Sequence, residues 1–169
     1  YKLIKKCIWE INIGFLMAPR HHSAMRHVAG PRVELATRTI FNLLGPICNP
    51  SGVKRQITGV FSKEWIEPIA GTLRQLDCER AWVVHGSDGT DELTTTGITY
   101  VSELKDGKVQ NLEVSPQDAG LPIAKFEDLK GGDPSYNADA IKVMLEGKKS
   151  PYRDVVIFNA AAALLIADK

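Results

Sequence analysis

An apolar segment that runs directly into a glycine-punctuated acidic loop is the feature that most constrains the fold of this 169-residue chain. Residues 81–84 combine a tryptophan with two β-branched valines, a pattern typical of a buried strand. Gly86 and the Asp88-Gly89 pair then supply turn positions, and the adjacent acids Asp91 and Glu92 follow. Mg²⁺ prefers one or two carboxylates completed by waters and substrate phosphates, so the pair is a candidate magnesium site. The alternative is a solvated turn, because charged side chains are usually exposed.

The segment before this strand predicts a β-α-β unit. Polar and apolar side chains alternate along residues 54–61, as they do in a strand. Residues 64–76 carry one apolar stripe at helical spacing. A strand, a helix and a second strand in this order build parallel sheets. After the acidic loop, residues 98–104 and 108–114 flank an Asp-Gly pair, which predicts an antiparallel hairpin.

Helical spacing and capping residues predict further helices at residues 3–12, 24–35 (capped by Ser23 and kinked at Pro31), 37–44 and 137–146 (capped by Asp133). Short apolar runs predict buried strands at residues 14–18 and 153–159, and the opening of a helix at residue 160. Residues 45–52 contain two glycines and two prolines, so we expect a rigid loop that can shape a pocket wall.

Polar recognition groups are concentrated in residues 20–27, which hold two arginines and three histidines. Arg32 lies ten positions after His22, close to three helical turns, so the two side chains can share a helix face. An arginine fork matches two oxygens of a carboxylate or phosphate at once. The alternative for Arg32 is a surface ion pair with Glu34 or Asp77.

Charge and cysteine content argue against several classes of function, although a local basic patch stays possible. A formal net charge of +1 gives no large field for nucleic acid or an anionic membrane. Three cysteines without CxxC spacing argue against a disulfide framework or a zinc site and fit a reducing cytoplasm. The longest apolar run, residues 155–167, is interrupted by Asn159 and is too short to span a bilayer.

Several stretches together resemble anthranilate phosphoribosyltransferases, the enzymes of tryptophan biosynthesis that join anthranilate to phosphoribosyl pyrophosphate (PRPP). The stretches are GFLMAPRHHSAMRHVAGPR at 14–32, RTIFNLLGPICNPSGVKRQITGVF at 38–61, VVHGSDGTDELTTTG at 83–97, and GGDP with RDVVIFNAAAALLIA toward the end. The resemblance implies an α/β fold with a mixed, largely parallel central sheet flanked by helices. It also implies a Mg²⁺-dependent pentosyltransferase that moves the phosphoribosyl group to the anthranilate amine and releases pyrophosphate.

The resemblance also assigns roles to individual residues. Arg32 would grip the anthranilate carboxylate, His22 would lie in the anthranilate entry region, and Pro46 would belong to a pocket-lining loop. Asp91 and Glu92 would hold Mg²⁺ against the pyrophosphate. No residue is assigned as a general base, because the amine is weakly basic and has its own acidic neighbour.

By the same resemblance, residues 1–169 form a single α/β domain truncated at both ends, without the N-terminal helical domain and the glycine-rich phosphate loop. The chain alone is therefore expected to be inactive, and the parent protein to be a cytoplasmic homodimer without nucleic-acid or membrane partners. Ser23 stands where the family usually has proline. Ala36-Thr37 stands where the family usually has a glycine and an aliphatic residue, and this second difference affects where the helix ends and how the Arg32 side chain is oriented. Two alternatives are a pyrimidine nucleoside phosphorylase and a non-catalytic relative that binds nucleic acid through a basic face.

Overall fold

The computed structural model describes residues 2–21, 27–37, 39–49 and 51–169. The chain divides into two compact units, residues 1–52 and 53–169. That the whole chain forms one α/β domain stays a prediction.

The first unit is helical in its described residues. Its helices are α1 (Lys2–Ile11), α2 (Ala18–His21), α3 (Ala29–Leu35) and α4 (Phe41–Ile47). Helix α1 confirms the amphipathic helix predicted at residues 3–12. The start predicted for the helix at 24–35, with its Ser23 cap, lies outside the described residues, whereas α3 confirms its second half.

The buried strand predicted at residues 14–18 is wrong. Residues 13–17 are irregular, and the Phe15 side chain is 82% exposed. The Met17 carbonyl accepts hydrogen bonds from the backbone N–H groups of Arg20 (3.0 Å) and His21 (3.1 Å), so the chain turns into α2. The described part of this unit contains no strand that could pair with an extended segment, and a local helical turn satisfies the backbone instead.

The loop predicted at residues 45–52 begins later than expected. Helix α4 starts after Ile40, which caps it without a side-chain hydrogen bond, and it continues through Pro46 to Ile47. Pro46 therefore lies in the last turn of a helix and not in a loop, which corrects its predicted setting. A proline this close to the end removes one backbone hydrogen bond, and the helix stops one residue later.

The second unit is built on a four-stranded sheet. Its strands are β1 (Arg55–Gly59), β2 (Arg80–Gly86), β3 (Thr99–Lys105) and β4 (Lys108–Val114), and they lie in the order β1-β2-β3-β4. Strands β1 and β2 are parallel, whereas β2 with β3 and β3 with β4 are antiparallel. The predicted mixed sheet flanked by helices is confirmed. The expectation that it is largely parallel is corrected, because one of these three pairs is parallel.

The β-α-β unit and the hairpin are where the sequence predicts them. A 3-10 turn (Lys63–Trp65) leads into α5 (Ile66–Gln75), which connects β1 to β2 and packs on β2 and β3. Between β3 and β4, Asp106 (φ 51°) and Gly107 (φ 70°) both adopt left-handed conformations. This is the turn that the right-handed twist of a two-residue hairpin requires.

Two helices complete the unit: α6 (Pro134–Leu145) and α7 (Pro151–Ile166). Asp133 caps α6 by accepting a hydrogen bond from Tyr136 N–H, as predicted. The strand predicted at residues 153–159 is wrong, because these residues lie inside α7. A short apolar run does not distinguish a strand from a buried helix, and a Ser150 N-cap followed by Pro151 starts the helix here.

Helix α7 covers one face of the sheet. Its side chains join Leu93 and alternate residues of β2 and β3 in a single buried cluster, composed of Trp82, Val84, Leu93, Val101, Phe158, Ala162 and Ile166. After the helix, Asp168 accepts hydrogen bonds from Arg55 and Arg80, which stand at the starts of β1 and β2. Helix α7 therefore runs antiparallel to these two strands. Among the residues described, no helix has the length and apolar character needed to cross a membrane.

Candidate functional site

The acidic pair lies in the acid loop, residues 87–98, which connects β2 to β3. Because β1 and β2 are parallel, the loop begins where the carboxyl ends of both strands meet, and such an edge is where open α/β sheets bind ligands. Ser87 N–H donates to the Ile98 carbonyl at 2.8 Å and closes the base of the loop. Asp91 and Glu92 are exposed as residues, although neighbouring atoms partly shield the Glu92 carboxyl group. The fold therefore presents two adjacent carboxylates to solvent at this edge.

A third carboxylate, Asp88, accepts hydrogen bonds from within the loop through both of its oxygens. Its Oδ1 accepts hydrogen bonds from Thr90 N–H (3.1 Å) and Thr90 Oγ1 (2.7 Å), and its Oδ2 accepts from Thr94 Oγ1 (2.6 Å) and Thr96 Oγ1 (2.7 Å). Burial alone would raise the pKa of Asp88, but these donors outweigh it and hold the pKa below its ordinary value. Asp88 is thus a charged hub that shapes the loop.

The backbone on both sides of Glu92 is fixed. A Cβ built on Gly59, at the end of β1, would lie 1.5 Å from the Asp91 carbonyl oxygen, so only glycine admits this approach. On the other side, Asn159 of α7 accepts a hydrogen bond from Leu93 N–H (3.0 Å) and donates one to the Leu93 carbonyl (2.8 Å). The loop is held between the end of a strand and a helix of the same unit.

The surroundings of Glu92 disfavour its negative charge. Partial burial of its carboxyl group raises its pKa, and the negative charges of Asp91 and Asp88 raise it further. A cation bound at this point would relieve that repulsion. The site therefore favours a positively charged ligand.

The donor set fits Mg²⁺. Within the described ranges, no group of three histidine, cysteine, aspartate or glutamate side chains is arranged to hold a metal. Two carboxylates supply only part of a metal's coordination shell. Mg²⁺ suits such a site, because it commonly binds one or two protein carboxylates and takes its other ligands from waters and substrate phosphates. A structural zinc site, which needs four protein ligands, does not fit this loop.

The remaining predicted site residues belong to the first unit. Arg32 lies in α3, and its predicted guanidinium contacts fall outside what the structure describes. His22 also lies outside the described residues, so its shared helix face with Arg32 stays a prediction. Pro46 is half-buried near the end of α4.

Sequence reasoning missed two parts of this site, the acceptor role of Asp88 and the contact of Asn159 with Leu93. It took Asp88 as a turn residue, although the hydroxyl run Thr94, Thr95 and Thr96 is a local signal for a buried acceptor nearby. It placed Asn159 on a strand. Nothing near Asn159 in the sequence indicates its partner, since Leu93 lies 66 residues away.

Comparison with protein families gives a match along nearly the whole chain. The family described as glycosyl transferase family, a/b domain, matches residues 2–169. Among curated proteins, anthranilate phosphoribosyltransferase of Rhodospirillum rubrum is 59% identical over 165 residues, which are 98% of this chain and 48% of that protein. The enzyme of the same name from Paramagnetospirillum magneticum is 58% identical over 169 residues, 100% of this chain and 49% of that protein. The chain spans about half the length of these relatives.

Solved structures that resemble this chain belong to enzymes of the same name. Anthranilate phosphoribosyltransferase from Saccharomyces cerevisiae in complex with PRPP and Mg superposes with a TM-score of 0.77 at 29% identity, covering 92% of this chain and 45% of that one. The same yeast enzyme in complex with 4-fluoroanthranilate gives a TM-score of 0.79 at 28% identity, covering 91% and 45%. The resemblance stated from the sequence is confirmed.

Proposed function

We propose, from the premise that this chain belongs to the glycosyl transferase family through its a/b domain, that the protein acts as an anthranilate phosphoribosyltransferase. It would transfer the phosphoribosyl group of PRPP to the anthranilate amine and release pyrophosphate. The observation that carries this proposal is the exposed Asp91-Glu92 pair on a rigidly held loop, in a chain 59% identical to a curated relative of that name.

Asp91 and Glu92 are the residues that would hold Mg²⁺. When bound, the ion supplies charge neutralisation for the departing pyrophosphate. The loop keeps the two carboxylates in place before the substrate arrives, so little reorganisation is needed when charge develops. The yeast enzyme in complex with PRPP and Mg supports PRPP and Mg²⁺ as ligands in this family.

The residues proposed to bind anthranilate belong to the first unit. Arg32 would bind the anthranilate carboxylate through its planar fork, which matches two oxygens at once. His22 would lie at the entry, and Pro46, in the last turn of α4, would line the pocket. The yeast enzyme bound to 4-fluoroanthranilate supports a site for this substrate class in the family.

No side chain is assigned as a general base. The weakly basic aromatic amine carries a carboxylate neighbour of its own, so its proton has an acceptor within the substrate. Catalysis would then rest on placing the two substrates and on stabilising the leaving group. We also propose that the protein works in the cytoplasm as a homodimer.

The two alternative functions are not favoured. A pyrimidine nucleoside phosphorylase shares the architecture, but the curated relatives with 57–59% identity are anthranilate phosphoribosyltransferases. A nucleic-acid-binding role would need a basic face, and the near-neutral net charge of +1 does not favour one.

The test is a substrate-dependence assay on the full-length protein. We expect pyrophosphate release that needs anthranilate, PRPP and Mg²⁺ together and that stops when EDTA removes the metal. Glu92→Gln should lower the rate at least about tenfold, since removing a metal ligand weakens the site strongly.

Glu113→Gln is the matched control, because Glu113 is an exposed glutamate on β4 outside the acid loop. Its rate should equal that of the parent protein. Phosphorolysis of a pyrimidine nucleoside without any transfer to anthranilate would refute the proposal and favour the phosphorylase alternative.

A further inference from the structure

In the part of the chain that the structure describes, Asn159 is the one side chain outside the acid loop whose amide hydrogen-bonds to the backbone beside Glu92. Its two hydrogen bonds with Leu93 are called the amide clamp. We infer that Asn159 is a positioning residue for the acidic pair, acting through the Leu93 backbone. What the acidic pair binds depends on the proposed function. How the pair is held depends on the structure alone.

All hydrogen-bonding groups of the Asn159 amide are engaged. Its Oδ1 accepts from Leu93 N–H at 3.0 Å, and its Nδ2 donates to the carbonyl oxygens of Leu93 (2.8 Å) and Val155 (3.0 Å). The partners fix the orientation of the amide, because an N–H must face Oδ1 and carbonyl oxygens must face Nδ2. Only a primary amide of this length provides both donors and the acceptor together.

The clamp acts on the peptide plane that carries Glu92. The N–H of Leu93 belongs to the peptide bond between Glu92 and Leu93, and that bond is planar. The carbonyl of Asp91 belongs to the preceding peptide bond, and it is the group that lies against Gly59. Asn159 therefore holds one of the two peptide planes that flank the Glu92 Cα, whereas the other packs closely against Gly59, where any side chain would displace it.

The hydrogen bonds from Asn159 matter because Leu93 is buried, although Asn159 itself is half-buried. Leu93 is 0% exposed and packs in the cluster with Phe158 and Ala162 of the same helix. Buried N–H and C=O groups need partners, and without Asn159 those of Leu93 have none. The loop would have to move to satisfy them, and the carboxylates of Asp91 and Glu92 would move with it.

Two measurements on the full-length protein test the inference. Hydrogen–deuterium exchange should show that Asn159→Ala speeds the exchange of peptides covering residues 87–98 by about tenfold, through easier local opening. Titration calorimetry with pyrophosphate and Mg²⁺ should show a dissociation constant raised by about tenfold or more, the usual effect of losing a residue that orients a metal ligand. The KM for anthranilate should stay within about twofold, a split that general destabilisation would not produce.

Two control variants separate positioning from stability. Asn137→Ala removes a similar clamp, since Asn137 accepts from Gly132 N–H (2.9 Å) and donates to the Gly132 carbonyl (3.0 Å), but it acts at the start of α6. Ile69→Ala creates a cavity under α5, where Ile69 is 4% exposed. Neither control should change exchange at residues 87–98 or pyrophosphate affinity as Asn159→Ala does.

A second substitution covers the case in which Asn159→Ala does not fold. Asn159→Asp conserves size and the acceptor for Leu93 N–H but loses the donors to both carbonyls, so exchange at residues 87–98 should again rise. Exchange or pyrophosphate affinity that is unchanged, or altered equally in the controls, would overturn the inference. If the parent protein releases no pyrophosphate with anthranilate, the proposed function fails, while the exchange result still decides whether Asn159 positions the pair.

Discussion

The acid loop and the helices of residues 1–52 differ in how firmly packing holds their side chains. In the acid loop, Leu93, Thr94 and Thr95 are 1% exposed or less, and Asp88 alone accepts four hydrogen bonds. In the described part of residues 1–52, no side chain is fully buried, and Trp9 of α1 is 76% exposed.

This difference shows which of the proposed binding residues are held in place by buried packing around them. The geometry of Asp91 and Glu92 follows from contacts within residues 53–169, which include a strand end, a helix and a threonine network. The roles of Arg32, His22 and Pro46 rest on resemblance. Substitutions in the two regions should therefore separate into effects on PRPP and effects on anthranilate.

The largest expected effect comes from neutralising the acidic pair. We expect the double variant Asp91→Asn, Glu92→Gln to lose about 100-fold in kcat/KM for PRPP, since a bound metal contributes several kcal/mol to the transition state. Its melting temperature should stay at or above that of the parent, because two exposed like charges are removed. A loss of melting temperature that parallels the loss of rate would show that the pair serves the fold instead.

Arg32→Ala probes the other region. Removing a charged hydrogen-bonding group should raise the KM for anthranilate by about 10-fold to 100-fold. The KM for PRPP should stay within about twofold. Arg32→Lys should rescue only part of the loss, because lysine lacks the planar fork.

Arg74→Ala is the control for Arg32→Ala, since Arg74 is an exposed arginine near the end of α5. It should leave both KM values unchanged. If Arg32→Ala raised the KM for PRPP as much as that for anthranilate, the separation between the two regions would break down.

Gly59→Ala should disturb the acid loop through its backbone. The new Cβ would lie 1.5 Å from the Asp91 carbonyl oxygen, so the chain must shift. We expect the free energy of unfolding to fall by about 1–3 kcal/mol, the usual range for overpacking, together with weaker binding of PRPP. Urea denaturation measures the first and calorimetry the second.

Gly71→Ala is the matched control, because a Cβ at Gly71, inside α5, would meet nothing within 4 Å. It should be neutral or stabilise the protein by up to about 1 kcal/mol. Equal destabilisation by both substitutions would contradict the special role of the approach between Gly59 and Asp91.

The smallest effect is expected at Glu103, in the sheet outside the acid loop. Burial alone would raise its pKa, but hydrogen bonds from Trp82 and Gln110 and the charge of Arg80 outweigh it, so the pKa lies below the ordinary value. A lowered pKa stabilises the fold above the ordinary value of 4.5, and this contribution is lost as pH falls through the folded pKa.

Glu103→Gln should therefore reduce the free energy of unfolding by about 1 kcal/mol at pH 7, the net contribution of a typical intramolecular hydrogen bond. The difference from the parent should shrink in acid below pH 4.5. Urea denaturation at several pH values measures it. A difference that grows toward acid would contradict the direction of the shift, and the KM for PRPP should not change.

The sequence predicted the elements that have a strong local pattern. The strands of the β-α-β unit, helix α5, the Asp-Gly hairpin and the acidic pair all follow from periodicity and turn residues. The strand predicted at residues 153–159 failed because an apolar run fits both a strand and a buried helix. The strand predicted at residues 14–18 failed because a strand needs a neighbour, and the described part of its unit offers none.

By itself, the sequence determined the family, the order of the main elements and the presence of two adjacent carboxylates after a buried strand. The tertiary structure decided that Asp88 is held by threonine hydroxyls, that Pro46 lies in the last turn of a helix, and that Asn159 holds the backbone beside Glu92. The physical reason is the range of the interactions. Periodicity and turn conformation are properties of neighbouring residues, whereas the contacts of Asn159 with Leu93 and of Gly59 with Asp91 exist only once the sheet and α7 have packed together.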